Sequence, residues 1–245
     1  MKKAINLNDK ATIICPGPLN VNNSIPERDL PFLTHQHPPA SNTLFSPHHF
    51  TSQAMVRNIG LTTGESIYRQ EQLYQGFWYL HSGVVGLYHS VKNGDDILVR
   101  IYQHNEWFGF AGLAGQTPYH CTARLMLDAR LSHIIPYNEN EFLLHFPAFC
   151  QFLLIQMANA LSDAEHRLAW IARFRTRYRV LSSLWYLTHH FPGYHWTWRD
   201  VAEFAGCETE TALRFTKELR TKGILDDTQR RLHVCNAEQL AALLI

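Results

Sequence analysis

Hydrophobic and polar positions change their spacing along the 245-residue chain. From about residue 54, short runs of β-branched and aromatic residues are separated by turn signals roughly every 8–12 residues, a pattern typical of an antiparallel β-roll or barrel. The clearest hairpin spans residues 84–101, where Lys92-Asn93-Gly94-Asp95 provides the positive φ angles of a tight turn. Pro136 marks the predicted end of this region.

Beyond Pro147 the apolar positions alternate spacings of three and four, which predicts a long amphipathic helix. The seam consists of Leu154, Met157, Leu161, Ala164, Leu168 and Ile171. A helix that packs on its own domain would show a similar but wider stripe. A seam this narrow favours a partner helix, and we expect an isologous homodimer because a second copy of the chain is the simplest partner.

Residues 197–223 have the pattern of a helix-turn-helix. Thr197 is a natural cap for a first helix, and Ala205-Gly206 allows the chain to turn. The apolar positions of the two helices are Val201, Phe204, Ala212, Phe215 and Leu219.

Glu210 and Arg214 lie four residues apart, on one exposed face of the second predicted helix. A carboxylate accepts a hydrogen bond from the cytosine amine, and a guanidinium donates to the two major-groove acceptors of guanine. The alternative is an ordinary ion pair along a helix. Within a two-helix pattern of this kind we favour DNA recognition.

The first fifty residues hold seven of the eleven prolines, together with His35, His37, His48 and His49. A segment of this composition cannot be one regular element. We therefore expect an α+β protein with an arm at 1–49, a β-roll at 50–147, a long dimerisation helix at 148–175 and a winged helix-turn-helix at 176–245.

Charge is unevenly distributed in a chain with a net charge of only +1. Residues 1–165 carry 10 Lys and Arg against 13 Asp and Glu, whereas residues 166–245 carry 12 against 8. A basic C-terminal part suits the binding of phosphates. With no apolar run of about 20 residues and no apolar centre in MKKAINLNDK, we expect a cytoplasmic protein without a membrane partner.

The five cysteines are scattered and lack CxxC spacing, so we expect small buried side chains and neither a disulfide framework nor a zinc ribbon. They are Cys15, Cys121, Cys150, Cys207 and Cys235.

The order of β-roll, long helix and helix-turn-helix, with the segments LTTGESIYRQEQ, FWYLHSGVVGLY, WFGFAGLAG and GCETETALRFTKEL, resembles the Crp/Fnr superfamily of transcription regulators. The resemblance covers about residues 50 to 245. It implies that Glu210 and Arg214 contact the G·C pairs of a TGA-type half-site and that Thr209 helps to choose a further base. It also implies phosphate contacts from Thr211 and Lys217, and RNA polymerase as a partner.

The effector segment departs from the pattern of the cyclic-nucleotide-binding members. The family's Phe-Gly-Glu-Leu motif corresponds here to Phe108-Gly109-Phe110-Ala111, and its Arg-Ser pair falls near His120-Cys121. Phe110 stands in place of the glutamate that accepts hydrogen bonds from the ribose. Without the arginine, the chain also lacks the charge-assisted hydrogen bond to the phosphate. Ala164 and Glu165 replace the helix hydroxyls that meet the purine. We therefore expect a small-molecule effector other than cyclic AMP, surrounded by Phe108, Gly109, Phe110, Ala111, His120, Cys121 and Ala164.

The sequence supports a metal or cofactor less than it supports a small-molecule effector, and we expect neither a metal nor a cofactor. The iron–sulfur branch of the superfamily needs N-terminal cysteines and one in the roll, but the arm has only Cys15 and the position in the roll is His133. Haem bound by roll histidines stays open as an alternative; the candidates are His81, His89, His104, His120 and His133.

A ligand- or metal-binding cupin-like enzyme with a C-terminal interaction module is the second hypothesis. The only His-x-His, His35-Gln36-His37, runs into two prolines. No nucleophile–base pattern or phosphate-binding glycine loop is evident, so we expect a protein that is not an enzyme.

Overall fold

The computed structural model of the protein describes residues 45–91, 96–115, 117–226 and 232–244. Six antiparallel strands form one curled sheet in which the order β1-β6-β3-β4 is extended by β2 on β6 and β5 on β3. The strands are β1 (Ala54–Leu61), β2 (Ser66–Tyr68), β3 (Phe77–Ser90), β4 (Asp96–Tyr102), β5 (Glu106–Phe108) and β6 (Thr122–Pro136). This confirms the predicted β-roll, including its end at Pro136.

The predicted hairpin is present: β3 and β4 pair from Val85 opposite Tyr102 to Ser90 opposite Asp96. The turn predicted at Lys92-Asn93-Gly94-Asp95 lies outside the described residues.

Strand β3 connects three hydrophobic cores because its two faces pack against different parts of the molecule. Trp78, Leu80, Val85 and Leu87 face the interior of the roll. Phe77 and Tyr79, on the other face, join an aromatic cluster with the first helices, while Tyr88 joins the core of the C-terminal domain. The register of strand pairing shifts between Leu80 and Val85. The inward-facing residues are therefore even-numbered before the shift and odd-numbered after it.

The aromatic cluster fixes the start of the long helix to the roll. Phe50 is fully buried, and its ring centroid lies 4.6 Å from Phe149, 5.0 Å from Phe146 and 5.3 Å from Phe142. Phe45 packs 5.2 Å from Phe149. The last residues of the predicted arm that the structure describes therefore belong to this core.

Seven helices follow the sheet: α1 (Glu139–His145), α2 (Pro147–Arg173), α3 (Thr176–His190), α4 (Trp198–Ala205), α5 (Thr209–Leu213), α6 (Phe215–Thr221) and α7 (Ala237–Ala242). Helix α2 has 27 residues and is about 40 Å long. It starts with a proline, which is tolerated there because the backbone N–H that proline lacks has no acceptor within the first turn of a helix. No single described helix is long and apolar enough to cross a membrane. Helices α1 and α2 together would reach that length, but the chain bends by 104° between them.

The C-terminal helices pack around Val180, Leu184, Val201 and Leu219, all fully buried. After α6 the chain returns as a two-stranded ribbon joined at the antiparallel bridge between Leu225 and Val234. Helices α4, α5 and α6 with this ribbon make up the predicted winged helix-turn-helix.

Candidate recognition helix and effector cavity

The first helix of the helix-turn-helix begins and ends as its sequence predicts. Thr197 accepts a hydrogen bond from the Asp200 amide, and the Asp200 carboxylate accepts one from the Thr197 amide at 2.8 Å, which completes a capping box. Gly206 ends α4 with φ of +65°, a left-handed conformation that glycine adopts without strain.

The predicted second helix is divided at Arg214 into α5 and α6. Arg214 keeps helical backbone angles (φ −59°, ψ −26°), so the chain continues in the same sense across the break. Ala212 and Leu219 are fully buried and Phe215 is half-buried. The three residues anchor one side of this recognition helix, α5 with α6, in the domain core.

The outer side of the recognition helix carries the proposed DNA contacts. Glu210, Arg214 and Lys217 are exposed, whereas Thr209 and Thr211 are half-buried. Among the described residues, neither Glu210 nor Arg214 forms an ion pair.

Five other charged side chains of the described part of this domain form ion pairs. Arg199 Nε contacts Glu203 Oε1 at 2.7 Å, and Glu218 Oε1 accepts from Arg177 at 2.6 Å and from Lys222 at 2.8 Å. No ion pair joins Glu210 to Arg214 in the part of the chain that the structure describes, in contrast to the ordinary helix pair that the sequence left as the alternative.

The predicted dimer seam is an exposed apolar stripe along α2. Leu154, Leu161 and Leu168 are 66, 61 and 70 % exposed. The side chains that α2 buries in its own chain are different ones, namely Phe149, Phe152, Leu153 and Trp170. The stripe therefore consists of other side chains than those buried in the core, although Met157, Ala164, Leu168 and Ile171 also line the cavity described next.

A cavity of about 880 Å³ lies between the roll and α2. Six of the seven residues predicted to surround an effector line it, namely Gly109, Phe110, Ala111, His120, Cys121 and Ala164. Phe108 does not line it, because the strand pairing of β5 turns its ring into the core of the roll, where it is fully buried. Glu165 is exposed and does not line it either.

The cavity also contains charged groups that the sequence did not single out. Arg100 on β4 contacts Asp163 on α2 at 3.3 Å. Glu106 accepts a hydrogen bond from the Gln103 amide at 2.5 Å, and burial raises the pKa of Glu106 to about 7 against the opposing effects of that bond and of Arg100. These residues lie far apart in sequence, and only the fold brings them together.

Arg167 links three parts of the molecule at the edge of the cavity. From α2 it donates to the Val99 carbonyl on β4 at 3.0 Å and to the Phe204 carbonyl on α4 at 2.7 Å. Burial lowers the pKa of this guanidinium to about 10, which leaves it charged at neutral pH. Its carbon Cζ lies 4.9 Å from the centroid of the Phe204 ring.

The helix-turn-helix domain forms part of the cavity wall, a contact that the sequence pattern does not predict. Tyr186, His190, Phe191 and Phe204 line the cavity from α3, the end of α3 and α4. The Tyr186 and Phe204 rings are parallel within 2° at a centroid distance of 5.6 Å. The cavity is thus bounded by the roll, the long helix and the helix-turn-helix domain.

The roll histidines have separate partners. His81 Nε2 lies 2.7 Å from Ser132 Oγ, and His89 Nδ1 lies 3.2 Å from the His120 carbonyl. His133 stacks on Trp78 at 3.7 Å and contacts the Gln75 carbonyl, and burial lowers its pKa to about 4. Within the described residues, none of them belongs to a three-residue metal-ligand cluster.

The cysteines are only partly as predicted. Cys121 is buried, Cys150 and Cys207 are half-buried, and Cys15 lies outside the described residues. The expectation of a buried side chain is wrong for Cys235, which is exposed because it lies on the C-terminal ribbon away from the core.

Comparisons with known proteins agree with this architecture. Residues 60–139 match the family model of the cyclic nucleotide-binding domain. An uncharacterised protein of Haemophilus influenzae is 40 % identical over 95 residues, which are 39 % of this chain and 74 % of that one.

Solved structures extend the similarity to both domains. The c-di-GMP responsive global regulator CLP of Xanthomonas campestris superposes with a TM-score of 0.65 at 17 % identity, over 77 % of this chain and 97 % of that chain. A Crp/Fnr-family regulator of Eubacterium rectale gives 0.66 at 17 % identity, over 77 and 89 %. One from Thermus thermophilus gives 0.61 at 21 % identity, over 77 and 98 %. The chain therefore belongs to the same family as the Haemophilus influenzae protein, contains a cyclic nucleotide-binding domain, and has the fold of the Crp/Fnr transcription regulators.

Proposed function

We propose that this chain is a transcription regulator that binds DNA sequence-specifically as a homodimer. The observation that carries the proposal is that Glu210 and Arg214 are exposed and, among the described residues, form no ion pair, whereas Arg199 with Glu203 and Arg177 and Lys222 with Glu218 are paired. A carboxylate and a guanidinium left free on an exposed helix face are available to base edges in a major groove.

The chemistry of these side chains sets the expected half-site. Arg214 donates to O6 and N7 of a guanine, and Glu210 accepts from N4 of a cytosine, which gives a TGA-like core. Thr209 lies beside them and contributes to the choice of a further base. Thr211 and Lys217 contact phosphates, which fix the position of the helix without selecting a sequence.

The apolar stripe on α2 supports dimerisation. Its three most exposed leucines, Leu154, Leu161 and Leu168, repeat every seven residues, the spacing at which two helices pack along a common seam. An isologous dimer presents two recognition helices to one face of DNA, so that the site is an inverted repeat with half-sites about one helical turn apart. Such a regulator works in the cytoplasm with RNA polymerase as its partner.

The cavity supports control by a small molecule other than cyclic AMP. Phe110 stands where the ribose acceptor of nucleotide-binding relatives is expected, and His120 where the phosphate-binding arginine is expected. The two guanidinium groups nearby already have partners, because Arg100 contacts Asp163 and Arg167 donates to two carbonyls. An effector in this cavity contacts the roll and the DNA-binding domain together, which offers a direct route from occupancy to DNA affinity.

An enzymatic role has less support. One Cys–His pair lines the cavity, with Cys121 Sγ 3.8 Å from His89 Nδ1. Burial raises the pKa of the Cys121 thiol to about 11, so the thiol stays protonated at neutral pH and is a poor nucleophile. We therefore propose that the protein is not an enzyme.

Selection of DNA from a random pool tests this function. The full-length protein is mixed with random duplexes, and the bound duplexes are amplified and sequenced over several rounds. We expect an inverted repeat with a conserved G·C pair in each half-site. A pool that enriches no repeat, at a salt concentration where the protein still binds DNA, contradicts the proposal.

A further inference from the structure

A second group of chemically reactive side chains lies on the C-terminal ribbon and does not line the cavity. Asp226 is on one strand of the ribbon and His233 and Cys235 are on the other. The Asp226 amide donates to the His233 carbonyl at 3.1 Å, and the Cys235 amide donates to the Ile224 carbonyl at 2.8 Å. These bonds fix the register of the two strands around the bridge.

That register places all three side chains on one face of the ribbon. Asp226 and His233 are cross-strand neighbours, and Cys235 follows His233 by two residues, which is the side-chain repeat of an extended strand. A carboxylate oxygen, an imidazole nitrogen and the thiol sulfur lie within 4.8 Å of one another. His233 and Cys235 are exposed and Asp226 is half-buried, so a solvated ion can reach the group.

The distances suit a metal of the zinc type. Zinc bonds of about 2.0–2.3 Å in a tetrahedron place neighbouring ligand atoms roughly 3.5 Å apart. Cys235 Sγ lies 3.6 Å from His233 Nδ1. A thiolate, an imidazole and a carboxylate together favour Zn²⁺ or Co²⁺ over the hard cations Mg²⁺ and Ca²⁺.

We propose that Asp226, His233 and Cys235 bind one Zn²⁺ ion per chain on the C-terminal ribbon. The thiol releases its proton when the metal binds, and water occupies the fourth position. The ion joins the two strands of the ribbon by coordination bonds in addition to the backbone bridge at Leu225 and Val234. This proposed site revises the expectation of a chain without metal. That expectation rested on the scattered histidines and the lack of CxxC spacing, and a His-x-Cys pair that faces an aspartate fits neither pattern.

Cobalt serves as the spectroscopic probe in the test. Untagged full-length protein is freed of metal with a chelator under reducing conditions and titrated with Co²⁺. We expect a cobalt–thiolate charge-transfer band in the near ultraviolet that saturates at one Co²⁺ per chain and disappears when one equivalent of Zn²⁺ is added. No DNA is present, so the outcome does not depend on the proposed regulatory function.

Variants assign the ligands. Cys235→Ser removes the band completely, because no thiolate remains at the site, and Asp226→Asn or His233→Ala weakens Co²⁺ binding by about tenfold or more. Cys207→Ser is the matched control, since Cys207 lies at the turn of the helix-turn-helix and its loss leaves the band unchanged. Circular dichroism verifies that each variant is folded. Absence of the band in the wild type, or its persistence in Cys235→Ser, overturns the proposal.

Discussion

Glu106, which lines the effector cavity, has a pKa that is strongly shifted by burial. Burial raises its pKa to about 7, well above the ordinary value of a glutamate. A carboxyl whose pKa is raised on folding stabilises the folded state fully below its unfolded pKa, and this contribution is lost as the pH rises through about 7. The cavity therefore makes the protein less stable on the alkaline side of neutrality.

Glu106→Gln tests this directly. The variant cannot ionise, so we expect its stability relative to wild type to increase between about pH 5 and pH 8, as measured by urea denaturation across that range. His133 and His190, whose pKa values burial lowers to about 4, act in the opposite direction as the pH falls. Both titrate in the two proteins, so the difference between variant and wild type isolates Glu106. A pH-independent difference would show that Glu106 titrates as an ordinary carboxyl.

At the scale of elements, helix α2 has an inward and an outward apolar side. Phe149, Phe152 and Leu153 are buried against the roll, while the leucines of the seam are more than 60 % exposed. When a second copy of the chain covers such an exposed apolar stripe, the burial of apolar surface stabilises the dimer.

We expect Leu161→Glu to be monomeric at concentrations where the wild type is a dimer. A glutamate in the closed seam is a buried unpaired charge, which costs on the order of several kcal/mol per interface. Analytical ultracentrifugation gives the molar mass of both proteins. Leu73→Glu is the control, because Leu73 is 71 % exposed but lies in the roll outside the stripe. A Leu161→Glu protein that stays dimeric places the subunit interface elsewhere.

Periodicity and turn residues were sufficient to predict most elements. The hairpin of β3 and β4, the long helix α2 and the helix cap at Thr197 all depend on neighbours within a few residues in sequence. The cavity depends on contacts between residues that are far apart in the sequence. Arg100, Asp163 and Arg167 are brought together by the docking of α2 on β4, and nothing in their local sequence indicates it.

The division of the recognition helix at Arg214 was also not predicted, because the apolar spacing continues through it. Cys235 was assigned to the core on composition alone, and the ribbon keeps it exposed. Both differences follow from tertiary context and not from local propensity.

In the molecule as a whole, the cavity lies between the roll and the helix-turn-helix domain. Arg167 bonds to both, and Tyr88 and Leu98 of the roll are buried in the same core as Val201 and Phe204 of the helix-turn-helix. We therefore expect a ligand that changes this packing to shift the proposed recognition helix.

We expect cyclic AMP to be excluded from this control. Calorimetric titration of the wild-type protein with cyclic AMP should show no measurable heat of binding, since Phe110 and His120 supply neither the ribose acceptor nor the phosphate-binding charge. The same nucleotide should leave DNA affinity unchanged. Micromolar binding would mean that Arg100 or Arg167 gives up its present partner to hold the phosphate.

We expect Arg214 to select bases and Lys217 only to hold phosphates, and one comparison of two variants distinguishes these roles. DNA selection from a random pool is repeated with Arg214→Ala and Lys217→Ala, and the affinity of each protein for the wild-type site is measured at two salt concentrations. Arg214→Ala should lose the preference for one G·C pair per half-site and about 1–3 kcal/mol per half-site. Lys217→Ala should keep the motif, weaken all sequences alike and reduce the salt slope by about one per subunit. If Arg214→Ala selects the same motif as the wild type, Arg214 does not select bases, and the proposal of sequence-specific DNA binding through this helix is wrong.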